Sequence, residues 1–216
     1  DLNDPNASLR PSVTALLTCL KALGAPQLDP VLANPDAIGW AYQFYQEEAK
    51  ARVYAKLGSG GKVESRAEIA AATQLFTEPY MVAWLLQNSL GRSYAEVYPT
   101  TQLTATWEYY IDPAKTNPEQ PTVVPPTHTR FTLDELTVLD PCMGSGHFVV
   151  AMFERLVALR MAEERLEEIA AVVAVLRDNL YGLELDPRCT QIAAFNVALA
   201  AWRRVGHCPL PPLHLA

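Results

Sequence analysis

The chain has 216 residues, 17 of them Lys or Arg and 24 Asp or Glu, giving a formal net charge of -7 at pH 7. Its residues are 50% hydrophobic and 19% charged, which excludes a disordered chain and fits one or two globular domains of about 150 residues each. No apolar run approaches the about 20 residues of a membrane span, and no charged-then-apolar leader opens the chain. An acidic balance is also a poor non-specific grip on phosphate, so a membrane protein, a secreted protein and a DNA-gripping module are all set aside. Cys19, Cys142, Cys189 and Cys208 show no CxxC spacing and no accompanying His cluster. They read as reduced thiols of a cytoplasmic protein, with no metal site and no disulfide frame. The start at Asp1, without methionine, reads as an internal or trimmed piece of a longer polypeptide.

In chain order, residues 11–24 are predicted helical: Pro11 and Ser12 open the helix, Val13, Leu16, Leu17 and Leu20 repeat on one face, and Gly24 closes it. A second helix is predicted from about Asp36 to Leu57, with Ile38, Trp40, Ala41, Phe44 and Tyr45 as its apolar side, before a break at Gly58-Ser59-Gly60-Gly61. A third is predicted with Thr77 as N-cap and Pro79 in its first turn, stopping at Gly91. From Ser93 to about Arg130 lie six of the 17 prolines. That stretch predicts a long irregular insertion, with a short β piece around Leu103–Ile111, that packs over something or covers a site. Leu136–Asp140 then reads as a strand, Gly144-Ser145-Gly146 as a turn, and a helix starts near His147. A helix over about Leu166–Asn179, a strand over Leu180–Glu184, a helix over Pro187–Arg203 and a third strand beginning at Leu213 complete the series.

Strand, glycine turn, helix and a second strand with a terminal acid make half of a nucleotide-binding α/β fold. A dinucleotide fits poorly. Val149 stands where GxGxxG/A needs a third small residue, and Asp140 beside the loop would repel a pyrophosphate. Glu184 is 38 residues beyond Gly146 rather than about 20. No Gly-Lys-Ser/Thr follows the turn, so a P-loop fails as well. S-adenosylmethionine suits these residues better: Asp140 attracts its cationic end, and Glu184 can accept hydrogen bonds from its ribose. The plainer alternatives are a helix-capping carboxylate at Asp140 and a solvated strand-end acid at Glu184. Two acids at corresponding places of one βαβ frame favour the cofactor.

Asp140-Pro141-Cys142-Met143-Gly144-Ser145-Gly146-His147-Phe148 resembles motif I of the adenine-N6 DNA methyltransferases, with Cys142-Met143 in place of the usual Ala-Cys. Gly182-Leu183-Glu184-Leu185-Asp186-Pro187 resembles their motif II. Thr73-Gln74-Leu75-Phe76-Thr77-Glu78-Pro79-Tyr80 is similar to their motif X, with Glu78 inserted into the Thr-Pro pair. Gly39-Trp40-Ala41-Tyr42-Gln43 and Asn88-Ser89-Leu90-Gly91 resemble stretches of the larger, phage-defence members: the methyltransferases of phage-growth-limitation and BREX systems (PglX-like), or related fused restriction–modification enzymes.

The resemblance implies an α/β chain: a helical N-terminal region, 1–72, followed by an incomplete Rossmann-like S-adenosylmethionine-dependent methyltransferase fold, 73–216, holding only the first strands. It implies that Thr77 holds the methionine carboxylate, for which a helix N-terminus is physically apt, an ordinary N-cap being the plainer reading. Asp140, Pro141, Cys142, Gly144, Ser145 and Gly146 would lie along the methionine end and beneath the ligand, Glu184 would bind the ribose, and Leu185 would lie against the adenine. His147 reads as a first-turn helix residue near the ligand rather than a base. The family's Asn/Asp/Ser-Pro-Pro-Tyr/Phe motif, which acts on a flipped adenine, is absent: Asn34-Pro35 continues into Asp36, Asn117-Pro118 into Glu119, Pro125-Pro126 into Thr127 and Pro211-Pro212 into Leu213. The expectation is the cofactor half of a site-specific DNA adenine methyltransferase, inactive alone and touching DNA through other regions. Defence-system subunits are expected as partners, and self-association through an unpaired sheet edge is a further expectation. The alternatives are a docking module built on the N-terminal aromatics, and a methyltransferase acting on RNA or protein.

Overall fold

The computed structural model describes residues 12–32, 34, 37–75, 77–112 and 131–216. Residue 11 of the first predicted helix and 113–130 of the predicted insertion lie outside these. Two compact units divide the chain, Asp1–Ile38 and Gly39–Ala216.

In the first unit, α1 spans Val13–Leu23. Ser12 Oγ accepts from Ala15 N–H at 3.1 Å, and Gly24 N–H returns to Leu20 O, so both ends are capped as the sequence predicts. None of its residues is buried. A 3₁₀ turn, Pro26–Leu28, and the short α2, Asp29–Leu32, follow.

α3 (Ala37–Gly58) is one 22-residue helix, with Gly39–Gly58 in the second unit. α4 (Arg66–Thr73) runs back along it: Lys56 bonds Glu68, Tyr54 OH donates to Ala72 O, and Lys50 Nζ to Gln74 O. Sequence reasoning left α4 unassigned, although Ser65-x-x-Glu68 marks its start. Ser65 Oγ accepts from Glu68 N–H at 3.1 Å.

α5 spans Pro79–Asn88 and α6 spans Leu90–Val97. Two predictions are corrected here. Glu78, not Thr77, holds the N-cap position of α5, because Pro79, fixed in φ, sets the first helical residue. The helix also breaks at Ser89 rather than Gly91: Asn88 Nδ2 and Ser89 Oγ bond back to the Trp84 and Leu85 carbonyls. Gly91 instead lies in the first turn of α6, where a Cβ would meet the Trp107 ring at 2.6 Å. The expected β piece at Leu103–Ile111 is a 3₁₀ turn, Leu103–Thr106, followed by irregular chain. Side chains replace a strand partner there. Gln87 Oε1 accepts from Tyr109 N–H, Asn88 Nδ2 donates to Tyr109 O, and Asn88 Oδ1 accepts from Ile111 N–H.

The α/β part alternates β1 (Val138–Asp140), α7 (His147–Glu164), α8 (Glu168–Ala174) with a π turn (Val175–Asn179), β2 (Leu180–Gly182), α9 (Pro187–Val205) and β3 (His214–Leu215). The strands form one parallel sheet in the order β1-β2-β3, with Asp140 opposite Gly182 and Gly182 opposite Leu215. Parallel neighbours need a helical crossover, and α7–α8 and α9 supply the two. The core gathers on α7: Val149, Phe153, Leu156 and Val157 are buried against Val172, Val175 and Leu176, and against Ala193, Val197 and Ala201 of α9. Each large side chain so buried contributes about 1.5–3 kcal/mol. Arg160, buried in α7, bonds Glu164, Asp178 and Asn179, and Asn179 Nδ2 donates to Leu133 O and Leu136 O, fixing the chain just before both β1 and β2. Among the described residues no helix is long and apolar enough to cross a membrane.

Candidate functional site

β1 delivers Asp140 to the carboxyl edge of the sheet, where the turn Pro141–Gly146 leads into α7. Gly144 and Gly146 have φ of +54° and +87°, a region that L side chains rarely adopt. At Gly146 a Cβ would also meet Ala193 Cβ at 2.8 Å, so glycine is required there on two counts; at Gly144 nothing lies within 4 Å. The turn is tied down at both ends: Leu183 N–H donates to Asp140 O, and Met143 N–H to Leu183 O. The buried Met143 fills the space over Gly182, and Asn196 Nδ2 holds Ser145 O.

Glu184 follows β2 and sits against this turn. Its Oε2 accepts from Gly144 N–H at 2.7 Å, and its Oε1 from Leu185 N–H at 2.6 Å and Asp186 N–H at 2.9 Å. Three backbone donors therefore hold the carboxylate in place. It lines a cavity of about 660 Å³ together with Pro141, Cys142, Gly144, Ser145 and Leu185. The opposite wall comes from Gly39 and Gln43 of α3 and from Ile69, Thr73, Gln74 and Leu75. Gly39 approaches the turn so closely that a Cβ would stand 2.7 Å from Ser145 Oγ.

Asp140 faces a neighbouring cavity of about 810 Å³, walled by α5, α6, β1 and the start of α7, and Pro141 lines both cavities. Its Oδ1 accepts from Cys142 N–H at 3.1 Å. Burial, and then the Glu184 charge, push its carboxyl above the ordinary value, while the Cys142 bond pulls the other way. The six predicted residues Pro141, Cys142, Gly144, Ser145, Glu184 and Leu185 thus share one cavity, Asp140 lies next door, and Gly146 is buried in the turn itself. Thr77 is half-buried and lines neither cavity; Thr73, Gln74 and Leu75 stand closer to the site.

Sequence reasoning missed a cluster that fixes the second wall. Tyr42 OH donates to Asp186 Oδ2 at 2.6 Å, Gln46 Nε2 donates to Tyr42 OH, and Arg188 both bonds Asp186 and lies over the Tyr42 ring. Burial works to raise the Asp186 carboxyl, but the bonds from Arg188 and Tyr42 outweigh it and hold it below the ordinary value. Burial and the Asp186 bond raise the Tyr42 hydroxyl, which stays a donor. Gln74 Nε2 meets the buried Cys189 Sγ at 2.6 Å. The hints available were that Tyr42 and Gln46 are four apart on one helix face, and that Tyr42 and Asp186 both stand in stretches that carry the family resemblance.

No family profile matches the chain. The chain is 38% identical over 168 residues to "Adenine-specific methyltransferase BrxX" of Escherichia coli O9:H4 (strain HS), an alignment covering 77% of this chain and 13% of that protein. It is 34% identical over 173 residues to "Adenine-specific methyltransferase PglX" of Lacticaseibacillus casei (strain Zhang), covering 76% and 14%. It is 33% identical over 98 residues to the PglX of Streptomyces coelicolor, covering 42% and 8%. The chain therefore spans about one seventh of the length of the first two relatives.

Proposed function

This chain is a homologue of one segment of the adenine-specific methyltransferases BrxX and PglX, and from that premise we propose that it forms the cofactor-binding part of a DNA adenine-N6 methyltransferase of a phage-defence or restriction–modification system. The parallel β1-β2-β3 order, with the site outside the carboxyl ends of the strands, supports a Rossmann-like reading of the sheet.

The observation that carries the proposal is the setting of Glu184. An ionised carboxylate has about four acceptor positions; three are filled by backbone N–H groups, and the carboxylate borders the cavity. That leaves capacity for a ribose hydroxyl on an acid already oriented. The residues fit S-adenosylmethionine in other ways as well. Gly144 and Ser145 present backbone, Leu185 an apolar face, and Asp140 a carboxylate on the flank where a cationic methionine end is attracted. When bound, the cofactor supplies an electrophilic methyl group; this chain's residues bind and orient it. Thr77 remains the proposed methionine-carboxylate contact, from its place ahead of α5.

We further propose that these residues alone do not transfer methyl groups, since no Asn/Asp/Ser-Pro-Pro-aromatic tetrapeptide occurs among them. DNA contact then belongs to other regions of the protein, in the cytoplasm where substrate and cofactor meet. Calorimetric titration with S-adenosylmethionine tests the reading: saturable binding, weakened about 10- to 100-fold in Glu184→Ala, supports it. An unchanged affinity in the variant, or no binding by the wild type, overturns it.

A second reading, docking to a partner protein or to another copy, draws on the exposure of Trp40, Phe44 and Tyr45 on α3. Sedimentation velocity on wild type and Phe44→Ser checks it: concentration-dependent association lost in the variant supports this reading, and a wild-type monomer at all concentrations contradicts it.

A further inference from the structure

We infer that Tyr42 is a positioning residue of the candidate site: from α3 it fixes the loop that aims the Glu184 carboxylate at the cofactor's ribose, an assignment resting on the S-adenosylmethionine reading of the cavity. Gly39, Tyr42, Gln43 and Gln46 stand at spacings of three, four and seven on α3, which puts them on one face of that helix. Gly39 and Gln43 line the cavity. Gly39 lies against Ser145 of the glycine turn, and one helical turn further on Tyr42 reaches the chain that follows Glu184. One helix face therefore touches both halves of the site.

The second contact is a relay of hydrogen bonds. The buried Gln46 donates from Nε2 to Tyr42 OH at 2.8 Å, and that hydroxyl donates in turn to Asp186 Oδ2 at 2.6 Å. Asp186 is buried as well, and its N–H donates to Glu184 Oε1 at 2.9 Å, beside Leu185 N–H at 2.6 Å. Arg188 also bonds Asp186, through its backbone N–H at 3.0 Å and its guanidinium at 3.1 Å. Arg188, however, is two residues along the same chain and moves with the loop it ties. Among the described residues, Tyr42 is the one side chain that bonds Asp186 from another element, 144 positions away in sequence.

An acceptor held in place before the ligand arrives binds better, because no ordering is left to be done on association. Glu184 Oε2 is held by Gly144 N–H at 2.7 Å, and Oε1 by the Leu185–Asp186 backbone. Tyr42→Phe keeps a ring beneath the Arg188 guanidinium and removes only the hydroxyl. Asp186 then loses its tie to α3, the two backbone donors on Oε1 are less firmly placed, and Glu184 is less well aimed. The effect falls on the ribose contact alone, so a ligand without ribose hydroxyls does not feel it.

The test compares the affinity of this chain for S-adenosylhomocysteine and for its 2′,3′-dideoxy analogue, in wild type, Tyr42→Phe, Glu184→Ala and the double variant. The wild type should prefer the hydroxylated ligand about tenfold or more. Tyr42→Phe should cut that preference about three- to tenfold and leave the affinity for the dideoxy analogue within about twofold. In the Glu184→Ala background the same substitution should change the preference no further, since the two residues act as one unit. A tyrosine that only props up the wall would weaken both ligands alike, with or without Glu184. An unchanged preference in Tyr42→Phe, or an equal further loss in the double variant, overturns the assignment. If Tyr42→Phe does not fold, Gln46→Leu decides it, because it leaves the phenol in place and removes the donor that fixes its oxygen: a lowered preference supports the relay, and an unchanged one overturns it. Failure of the cofactor reading itself looks different: the wild type binds neither ligand saturably, or shows no preference for Glu184→Ala to remove.

Discussion

Burial and the nearby Glu184 charge raise the Asp140 carboxyl in the folded chain, so stability and cofactor attraction pull against each other at this residue. The folded state keeps a proton that the unfolded chain, with a value of about 3.9, has already released. Stability therefore falls as pH rises from that value through the folded one. Asp140→Asn removes the liability and keeps an oxygen for the Cys142 N–H. Thermal melts should show the variant gaining stability over wild type at neutral pH, with the gain vanishing below pH about 4, and its affinity for S-adenosylmethionine should drop. A gain that is the same at every pH would contradict this account. The places of Asp140, Glu184 and the glycine turn in the fold were legible in the sequence because they are set locally: a strand-end acid and a left-handed backbone announce themselves within a few residues. Tyr42 and Gln74 were not. Their partners, Asp186 and Cys189, lie 144 and 115 positions away in sequence, and no periodicity reports such pairs.

At the scale of elements, α5 and α6 show what a local rule misses. Gly91 was read as a helix stop, yet it opens onto the Trp107 ring, which itself packs against Tyr94. Gly91→Ala therefore sets two effects against each other. Helix propensity favours alanine by about 1 kcal/mol, whereas forcing a Cβ to within 2.6 Å of a packed indole costs about 1–3 kcal/mol. The clash should win: the variant should melt lower and show altered tryptophan fluorescence, while a higher melting temperature would contradict the packing argument. α4 errs the other way, since its Ser65-x-x-Glu68 signal was present and went unread. The β piece expected near Leu103 failed for a tertiary reason: Gln87 and Asn88 satisfy that backbone from outside any sheet.

Across the whole molecule, the alternation of strands and helices after Leu136 was enough to predict parallel pairing, because only helical crossovers return a chain to the same sheet edge. Strand order was not readable, as it depends on which strands meet rather than on any one of them. Apolar periodicity had a similar limit. It identified α1 and the apolar side of α3, but Val13, Leu20, Phe44 and Tyr45 are exposed; a stripe shows that a face exists, not what covers it. Glu184 bonded to Gly144, with the cavity beside it, joins both strands and the first turn into one site, and that junction is the central claim. A crystal structure of this chain with S-adenosylhomocysteine tests it most directly. The account predicts a ribose hydroxyl on the Glu184 carboxylate, the adenine against Leu185 and the methionine end towards Asp140. A ligand bound elsewhere, or one seated in the cavity without touching Glu184, would contradict it.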